Sequence, residues 1–194
     1  GYADYDSDKE PMHPLLVQSL ARAEHLLGTT EATQKGAVLD VGAATGFFLD
    51  IARARGWSVR GVELSDFAAH VARGKGIDVA AGTLADLNAP PESFGLVTLW
   101  DVIEHVQDPV AELGRVAKLL KPGGVVLMTT PDWDSLYARL LGKRWHLIVP
   151  PEHLHYFTRA SMRILLKKAG LQEVSIRGPV KSYTLAYTAQ ILAR

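Results

Sequence analysis

The stretch Val38-Leu-Asp-Val-Gly-Ala-Ala-Thr-Gly-Phe47 constrains this chain more than any other. Val38 to Val41 read as a short buried strand, apolar and β-branched apart from Asp40. Gly42 and Gly46 bracket a tight turn, and Phe47-Phe48-Leu49-Asp50-Ile51-Ala52 resumes at helical spacing. A strand that feeds a helix through a glycine turn gathers backbone N–H groups and a helix N-terminus at one point. That point suits an anionic or carboxylate-bearing ligand. An ordinary strand–helix connection has the same outline, so the rest of the chain must decide between them.

Further segments repeat the strand–helix alternation. Pro14 to Leu27 carries Leu16, Leu20, Ala23 and Leu27 at helical spacing, with Gly28 as a stop. Ser58–Leu64 is a second strand, and Ser65 has the identity of an N-cap for the helix behind it. Ile77–Ala81 and Leu96–Trp100 are the third and fourth strands. Asp108-Pro109 starts a helix ending at Lys121-Pro-Gly-Gly124, and Val125–Thr130 is the fifth strand. Such alternation predicts a parallel sheet covered on both faces. Beyond Pro131 it breaks. Ser135–Leu141 reads as a short helix, Trp145–Phe157 as an aromatic- and histidine-rich connection, and Thr158 as the cap of a further helix. Leu171–Arg177 and Tyr183–Leu192 read as two more strands, the second with a pattern that could also start a helix.

Composition removes several function classes. Lysine plus arginine equals aspartate plus glutamate, 21 each, so the chain lacks the electrostatic footprint of a nucleic-acid binder. It has no cysteine, which excludes disulfides, thiolate metal sites and a cysteine nucleophile. No apolar run approaches the ~18 residues of a membrane helix, and none reads as a secretory leader. The expectation is a cytoplasmic chain that binds neither nucleic acid nor membrane. It ends within the apolar run Ile191-Leu-Ala-Arg194, as a chain that continues would.

In open α/β sheets ligands lie beyond the carboxyl ends of the strands, where strand order reverses. Glu63 ends the second strand 21 positions after Gly42, the place where an acid accepts hydrogen bonds from both hydroxyls of a ribose. The G-x-G-x-x-G fingerprint of dinucleotide binders is incomplete, because Ala44 replaces the middle glycine and no third glycine follows Gly46 at the required spacing. A Walker A loop is absent too.

The glycine turn resembles the S-adenosylmethionine-binding motif of class I methyltransferases, D-x-G-x-G-x-G. The small-molecule enzymes of the ubiquinone-biosynthesis O-methyltransferase type resemble it most. Gly61-Val-Glu-Leu-Ser65, Ser93-Phe-Gly-Leu-Val-Thr-Leu-Trp100, Asp101-Val-Ile-Glu-His-Val-Gln-Asp-Pro109 and Leu119-Leu-Lys-Pro-Gly-Gly124 follow in the family's order. Pro151-Glu-His-Leu-His-Tyr-Phe-Thr158 is similar to a signature of one branch. The resemblance spans about residues 36 to 178. It implies a Rossmann-like, doubly wound α/β fold with a mostly parallel seven-stranded sheet, the last strand antiparallel, and helices on both faces. One domain would cover 1–194: an N-terminal flap and helix (1–35), a cofactor-binding core (36–131), a lid or substrate-side insertion (132–157) and a C-terminal helix with strands (158–194).

The cofactor implied is S-adenosyl-L-methionine and the reaction is methyl transfer to a small-molecule acceptor, at oxygen. Asp40 would orient the turn or meet the methionine amino group, and Gly42, Ala43 and Gly46 would leave it backbone room. Glu63 would hold the ribose, Leu64 would lie against the adenine, and Thr83 and Leu84 would line the adenine edge. Trp100 and Asp101 complete the set at the end of the fourth strand. Departures are Ala44, where glycine is common, Thr83, where many relatives carry an acid that nearby Asp86 could supply, and Gly95, where aspartate is usual. A nicotinamide-dependent oxidoreductase and a non-catalytic cofactor-binding module of the same fold are the competing readings.

Methyl transfer from a sulfonium mainly needs alignment, with a base only where the attacking group must lose a proton. His105, directly after the fourth strand, and His153 and His155, alternating in the later segment, are the candidates, since histidine titrates near neutrality. Asp101, Glu104 and Tyr156 are further proton-transfer candidates. Glu104, His105, His153 and His155 also have ligand chemistry, but nothing in the sequence shows that they converge, so no metal is assigned. His13, His25, His70 and His146 have no such company. Trp133, Tyr137, Trp145, Tyr156 and Phe157 suit a lid over a planar substrate or a small satellite core equally well. Tyr2 and Tyr5 read as a flap over the cofactor.

Overall fold

The computed structural model describes residues 10–29 and 35–177. After a 3-10 turn (Glu10–Met12) come α1 (His13–Leu26), β1 (Ala37–Val41), α2 (Phe47–Ala54), β2 (Ser58–Glu63), α3 (Asp66–Gly74) and β3 (Asp78–Ala81). β4 (Phe94–Trp100), α4 (Pro109–Leu119), β5 (Leu120–Thr129), α5 (Leu136–Leu141) and α6 (Arg159–Lys168) follow. The helix starts agree with their cap chemistry. Ser65 accepts from the Ala68 N–H at 3.3 Å, Asp108 accepts from Ala111 at 2.9 Å, and Thr158 forms a reciprocal capping box with Ser161.

Five strands pair in parallel in the order β3-β2-β1-β4-β5. Order reverses between β1 and β4, and the carboxyl ends of these two strands therefore flank the crevice where such sheets hold ligands. Successive side chains on a strand face opposite sides. Val38 accordingly joins a core beneath α1, α2 and α3, with Leu20, Phe48, Leu49 and Ala72. Leu39 and Val41 join the opposite core beneath α4 and α6, with Leu113, Val116, Met162 and Leu165. Asp40 follows Val38 by two positions and so turns toward the α1–α2 side, although 2% exposed.

The described residues hold five strands, all parallel, and the expected seven-stranded sheet with an antiparallel last strand does not form among them. Leu171–Arg177, expected as a strand, makes no ladder. Its apolar residues Leu171 and Ile176 pack onto the α4–α6 core, while Glu173 is drawn back to Arg163 of α6 at 2.7 Å. This segment is therefore anchored to a helix instead of running beside β5. The other expected strand, 183–192, and the flap tyrosines Tyr2 and Tyr5 lie outside the described residues. β5 starts at Leu120 rather than Val125 because Leu120 already pairs with Phe94, ahead of an irregularity in register.

Glu24 of α1 is 6% exposed and accepts hydrogen bonds from Lys35 at 2.6 Å, Trp57 at 3.0 Å and Arg55. This buried cluster fastens α1 over the start of β1 and the end of α2, at the opposite end of the helix from Met12.

Candidate functional site

The turn after β1 is held from below by β2. Gly42 and Ala43 donate their N–H groups to the Val62 carbonyl at 2.9 and 3.1 Å, and Gly46 donates to Ala43 at 2.8 Å. Gly42 and Gly46 have φ of 72° and 81°, the left-handed region that glycine enters without steric cost. A Cβ on Gly42 would come within 2.6 Å of Val102 and one on Gly46 within 2.6 Å of Ile77. Each missing side chain is thus needed for packing by the protein itself: Val102 of the loop after β4 at the first glycine, the α3–β3 connection at the second.

Ala44 also has positive φ, 46°, with only 8% of its surface exposed. Such a conformation costs an alanine about 1–2 kcal/mol, part of which glycine's larger unfolded-state entropy would return. Ala44→Gly is therefore expected to stabilise the chain by about 0.5–1 kcal/mol. A midpoint shift in urea unfolding measures it, and an unchanged or lower midpoint would refute strain at this position.

The Ala44 N–H donates to Glu63 Oε2 at 2.8 Å, and the Ser65 N–H donates to Oε1 at 2.8 Å. Both carboxylate oxygens of Glu63 are thereby locked in orientation between the β1 turn and the start of α3, each with a lone pair to spare. Leu64 beside it is 74% exposed. Across the sheet, Thr98 of β4 donates to Asp40 Oδ1 at 2.6 Å. Burial raises the Asp40 carboxyl to about 7; the Thr98 hydrogen bond works against this, and the negative charge of Glu63 adds to it. A pocket runs from Asp40 and the Gly42–Ala44 turn to Phe47, Phe48 and Trp100, roofed by Met12 and Leu16 at the start of α1. Trp100 stacks obliquely on Phe48, ring centroids 5.1 Å apart, and its buried indole N–H has no acceptor among the described residues.

After β3, the Thr83 hydroxyl and N–H both donate to Asp86, at 2.6 and 2.9 Å. These two hydrogen bonds hold the exposed Asp86 carboxyl below its usual range. Thr83 and Asp86 thus form one unit at the sheet's end. Leu84, expected at the adenine edge, instead buries its side chain in the α4–α6 core at 4% exposure. An apolar side chain at the start of that loop gains more from the core than from the rim.

Asp101 leaves the sheet with φ of 55°. Its N–H donates to the Thr129 carbonyl and its carboxylate accepts from the Thr129 hydroxyl at 2.7 Å, so Asp101 is a hinge tied to β5. Glu104 follows, 1% exposed. Its Oε2 accepts from Thr130 at 2.9 Å, its Oε1 has no partner among the described residues, and burial raises its pKa. The Glu104 carbonyl accepts from the N–H groups of Leu154 and His155, which draws the later segment onto this loop.

His105 and His153 meet there edge to face, ring centroids 4.7 Å apart. His105 Nδ1 lies 2.8 Å from the Glu152 carbonyl and His153 Nδ1 lies 2.8 Å from the Leu147 carbonyl. A carbonyl only accepts, so each Nδ1 carries a ring proton and donates, and Nε2 is the ring atom left to face outward. His155 does not join them. The segment folds as turns, with the His153 N–H donating to Val149, and His155 stacks on Phe157 at 5.8 Å. The expected alternation of His153 and His155 on one strand face is lost with the strand. Tyr156 lies 6.2 Å from His153 and 5.0 Å from Trp133, which in turn contacts Trp145 at 5.7 Å. The aromatic residues thus build a small cluster flanking the histidines, pinned by the bridge between Asp132 and Phe157.

Sequence reasoning did not find Met12, Leu16, Phe47 or Phe48 as pocket walls, nor Thr98 and Thr130 as partners of the buried acids. The apolar residues carry no chemical signal, and the threonines look like ordinary strand residues.

A methyltransferase-domain family model matches residues 13–176. The ubiquinone biosynthesis O-methyltransferase of Idiomarina loihiensis is 31% identical, over 94% of this chain and 81% of its own length. A Thermotoga maritima S-adenosylmethionine-dependent methyltransferase, described as a possible histamine N-methyltransferase, superposes with a TM-score of 0.60 at 25% identity, over 82% of this chain and 74% of that one. Phosphoethanolamine N-methyltransferase 2 of Haemonchus contortus, solved with S-adenosyl-L-methionine, shares the fold at a TM-score of 0.58 and 23% identity, over 79% of this chain and 36% of its own.

Proposed function

This chain belongs to the class I S-adenosylmethionine-dependent methyltransferase family, and from that premise we propose that it transfers a methyl group from S-adenosyl-L-methionine to a hydroxyl of a small molecule. The observation that supports the reading most is the Glu63 carboxylate, held by two backbone N–H groups at the end of β2 with both oxygens oriented. Two fixed acceptor oxygens match the adjacent hydroxyls of a ribose. Exposed Leu64 then lies against the adenine, and Asp86, oriented by Thr83, accepts from the adenine amino group. The methionine end enters the pocket beneath Met12 and Leu16. Its ammonium meets Asp40, and its carboxylate takes the orphan N–H of Trp100.

The acceptor approaches from the side of His105 and His153, at the end of β4 beyond Trp100. The acceptor oxygen attacks the methyl carbon, the carbon–sulfur bond breaks with its electron pair going to sulfur, and S-adenosylhomocysteine leaves. The hydroxyl proton departs at the histidine cluster. Protein alignment of oxygen, methyl and sulfur supplies most of the acceleration. Incubation with methyl-labelled donor and a panel of phenols, catechols, amines and thiols tests this. Label in an ether product supports the reading, whereas label only on nitrogen or sulfur, or on no product, would overturn it.

The Asp40 contact has a separate signature. A carboxyl at about 7 is largely protonated near pH 6, and an ammonium beside it favours the ionised form. Binding of S-adenosylhomocysteine near pH 6 is therefore expected to release up to about one proton per chain. Calorimetry in buffers of different ionisation enthalpy reads that proton directly. Asp40→Asn should abolish the release, and equal release from both proteins would place the proton elsewhere.

A further inference from the structure

The Tyr156 hydroxyl oxygen is closed to solvent and has no hydrogen-bond partner among the described residues. On the O-methyltransferase reading above, we propose that this hydroxyl binds the acceptor, sharing a hydrogen bond with the oxygen that is to be methylated. Tyr156 then tells a hydroxyl from an apolar substituent on the acceptor.

A buried phenol without a partner is a standing cost, because folding strips its water and returns nothing. The surroundings offer little in place of a ligand. A trapped water needs at least about two polar partners, yet the rings against Tyr156 are those of Trp133 and His153, with centroids 5.0 and 6.2 Å away. The Nδ1 of that histidine is already committed to the Leu147 carbonyl at 2.8 Å. The Trp100 N–H is also buried and unpartnered among the described residues, but Trp100 lines the pocket with Asp40 and Phe48. Tyr156 is not part of that lining, so a methyl donor seated there does not satisfy its hydroxyl.

Tyr156 also stands on the ligand-bearing side of the sheet. The N–H groups of Leu154 and His155 donate to the Glu104 carbonyl at 2.8 and 3.1 Å, and the Trp133 N–H donates to the Phe157 carbonyl at 2.8 Å. Residues 154–157 are thereby clamped between the loop after β4 and the segment after β5, with Tyr156 inside the clamp. Both anchors follow the carboxyl ends of neighbouring strands, where ligands of such sheets sit. Trp133, the ring resting on Tyr156, is 41% exposed, so the aromatic cluster opens to solvent at that ring. An acceptor that moves the Trp133 indole aside reaches the hydroxyl from there. A hydroxyl both donates and accepts. Tyr156 can therefore donate to the acceptor oxygen or receive its O–H, and either bond orients the lone pairs of that oxygen for attack on the methyl carbon.

Tyr156→Phe removes only the oxygen. Phenol and toluene, one ring with and without a hydroxyl, are titrated into parent and variant loaded with S-adenosylhomocysteine and followed by ligand-observed NMR. Urea midpoints are taken for both proteins. Phenol affinity is expected to fall about 10-fold in the variant, or about 1.4 kcal/mol, the size of one net hydrogen bond. Toluene affinity should stay within about twofold, and the midpoint should hold or rise, since an unpartnered hydroxyl has left the interior. A hydroxyl with a purely structural role gives a lower midpoint and unchanged phenol affinity, which would overturn the proposal. Phenol that binds both proteins alike, or neither, overturns it as well. A parent that binds phenol through Tyr156 but transfers label to no hydroxyl refutes only the functional reading. One that methylates phenol with the same kcat/KM after Tyr156→Phe refutes only the role of Tyr156.

Discussion

Replacing Glu63 with glutamine is expected to weaken binding of S-adenosylhomocysteine by about 100-fold, read by calorimetry. The carboxylate would accept both ribose hydroxyls through charge-assisted hydrogen bonds, each worth about 1.5–3 kcal/mol. Glutamine removes the charge and turns one acceptor into a donor, so a loss near 3 kcal/mol follows, or about two decades in Kd. The same change has a structural cost, because both oxygens already accept N–H groups, from Ala44 and Ser65. The amide NH₂ would face one of these donors, an opposition worth about 1–3 kcal/mol of folding stability. Binding should therefore be measured well below the variant's own melting temperature. Affinity within about threefold of the parent, from a folded variant, would remove Glu63 from the ribose site.

The second large effect concerns α1, which roofs the pocket through Met12 and Leu16. Glu24→Ala is expected to destabilise the chain by about 3–5 kcal/mol, since it strands the Lys35 ammonium, whose side chain is only 3% exposed, without its counter-charge. Burial works to raise the Glu24 pKa, but hydrogen bonds from Arg55, Lys35 and Trp57 outweigh it and hold the group at about 2. A carboxylate depressed in the folded state adds stability above its unfolded pKa near 4.5 and loses it as pH falls toward 2. The stability at stake is about 3 kcal/mol. Urea midpoints should therefore drop between about pH 4.5 and pH 2 in the parent and show a smaller drop in Glu24→Ala. Parallel acid profiles for the two proteins would show that Glu24 carries no such linkage.

Both effects bear on one pocket from opposite ends. Glu63 sets the ribose end directly, whereas Glu24 acts at the far end of a helix whose first turn covers the methionine end. Loss of Glu24 should therefore lower affinity only in proportion to the unfolded or frayed fraction of α1, and saturating donor should recover part of the melting temperature.

What was readable in the sequence is what local chemistry dictates. The β1 turn and α2 follow from β-branched residues, two glycines and a 3.6-residue period within about a dozen positions. The caps at Ser65, Asp108 and Thr158 each act within three residues. Glu63 was legible because a βαβ unit has a nearly fixed length, so the acid's spacing from Gly42 places it. The strand expected at Leu171–Arg177 was misread, because apolar residues can pack onto a helix as readily as they can pair beside a strand, and only the Arg163–Glu173 contact tells which.

The rest depends on contacts between residues far apart in the chain, which no local pattern encodes. Thr98 reaches Asp40 across 58 positions, and Thr130 reaches Glu104 across 26. Glu152, 47 positions on, fixes the His105 ring. Gly42 and Gly46 were read as room for a ligand, and no local pattern showed that a side chain at either would also meet Val102 or Ile77. The strand–turn–helix unit and the acid on its neighbour are written in local pattern, because backbone propensity and the length of one crossover act over short stretches of chain. Which way the histidines face, how the buried acids are partnered and what roofs the pocket come from packing between segments that the sheet brings together.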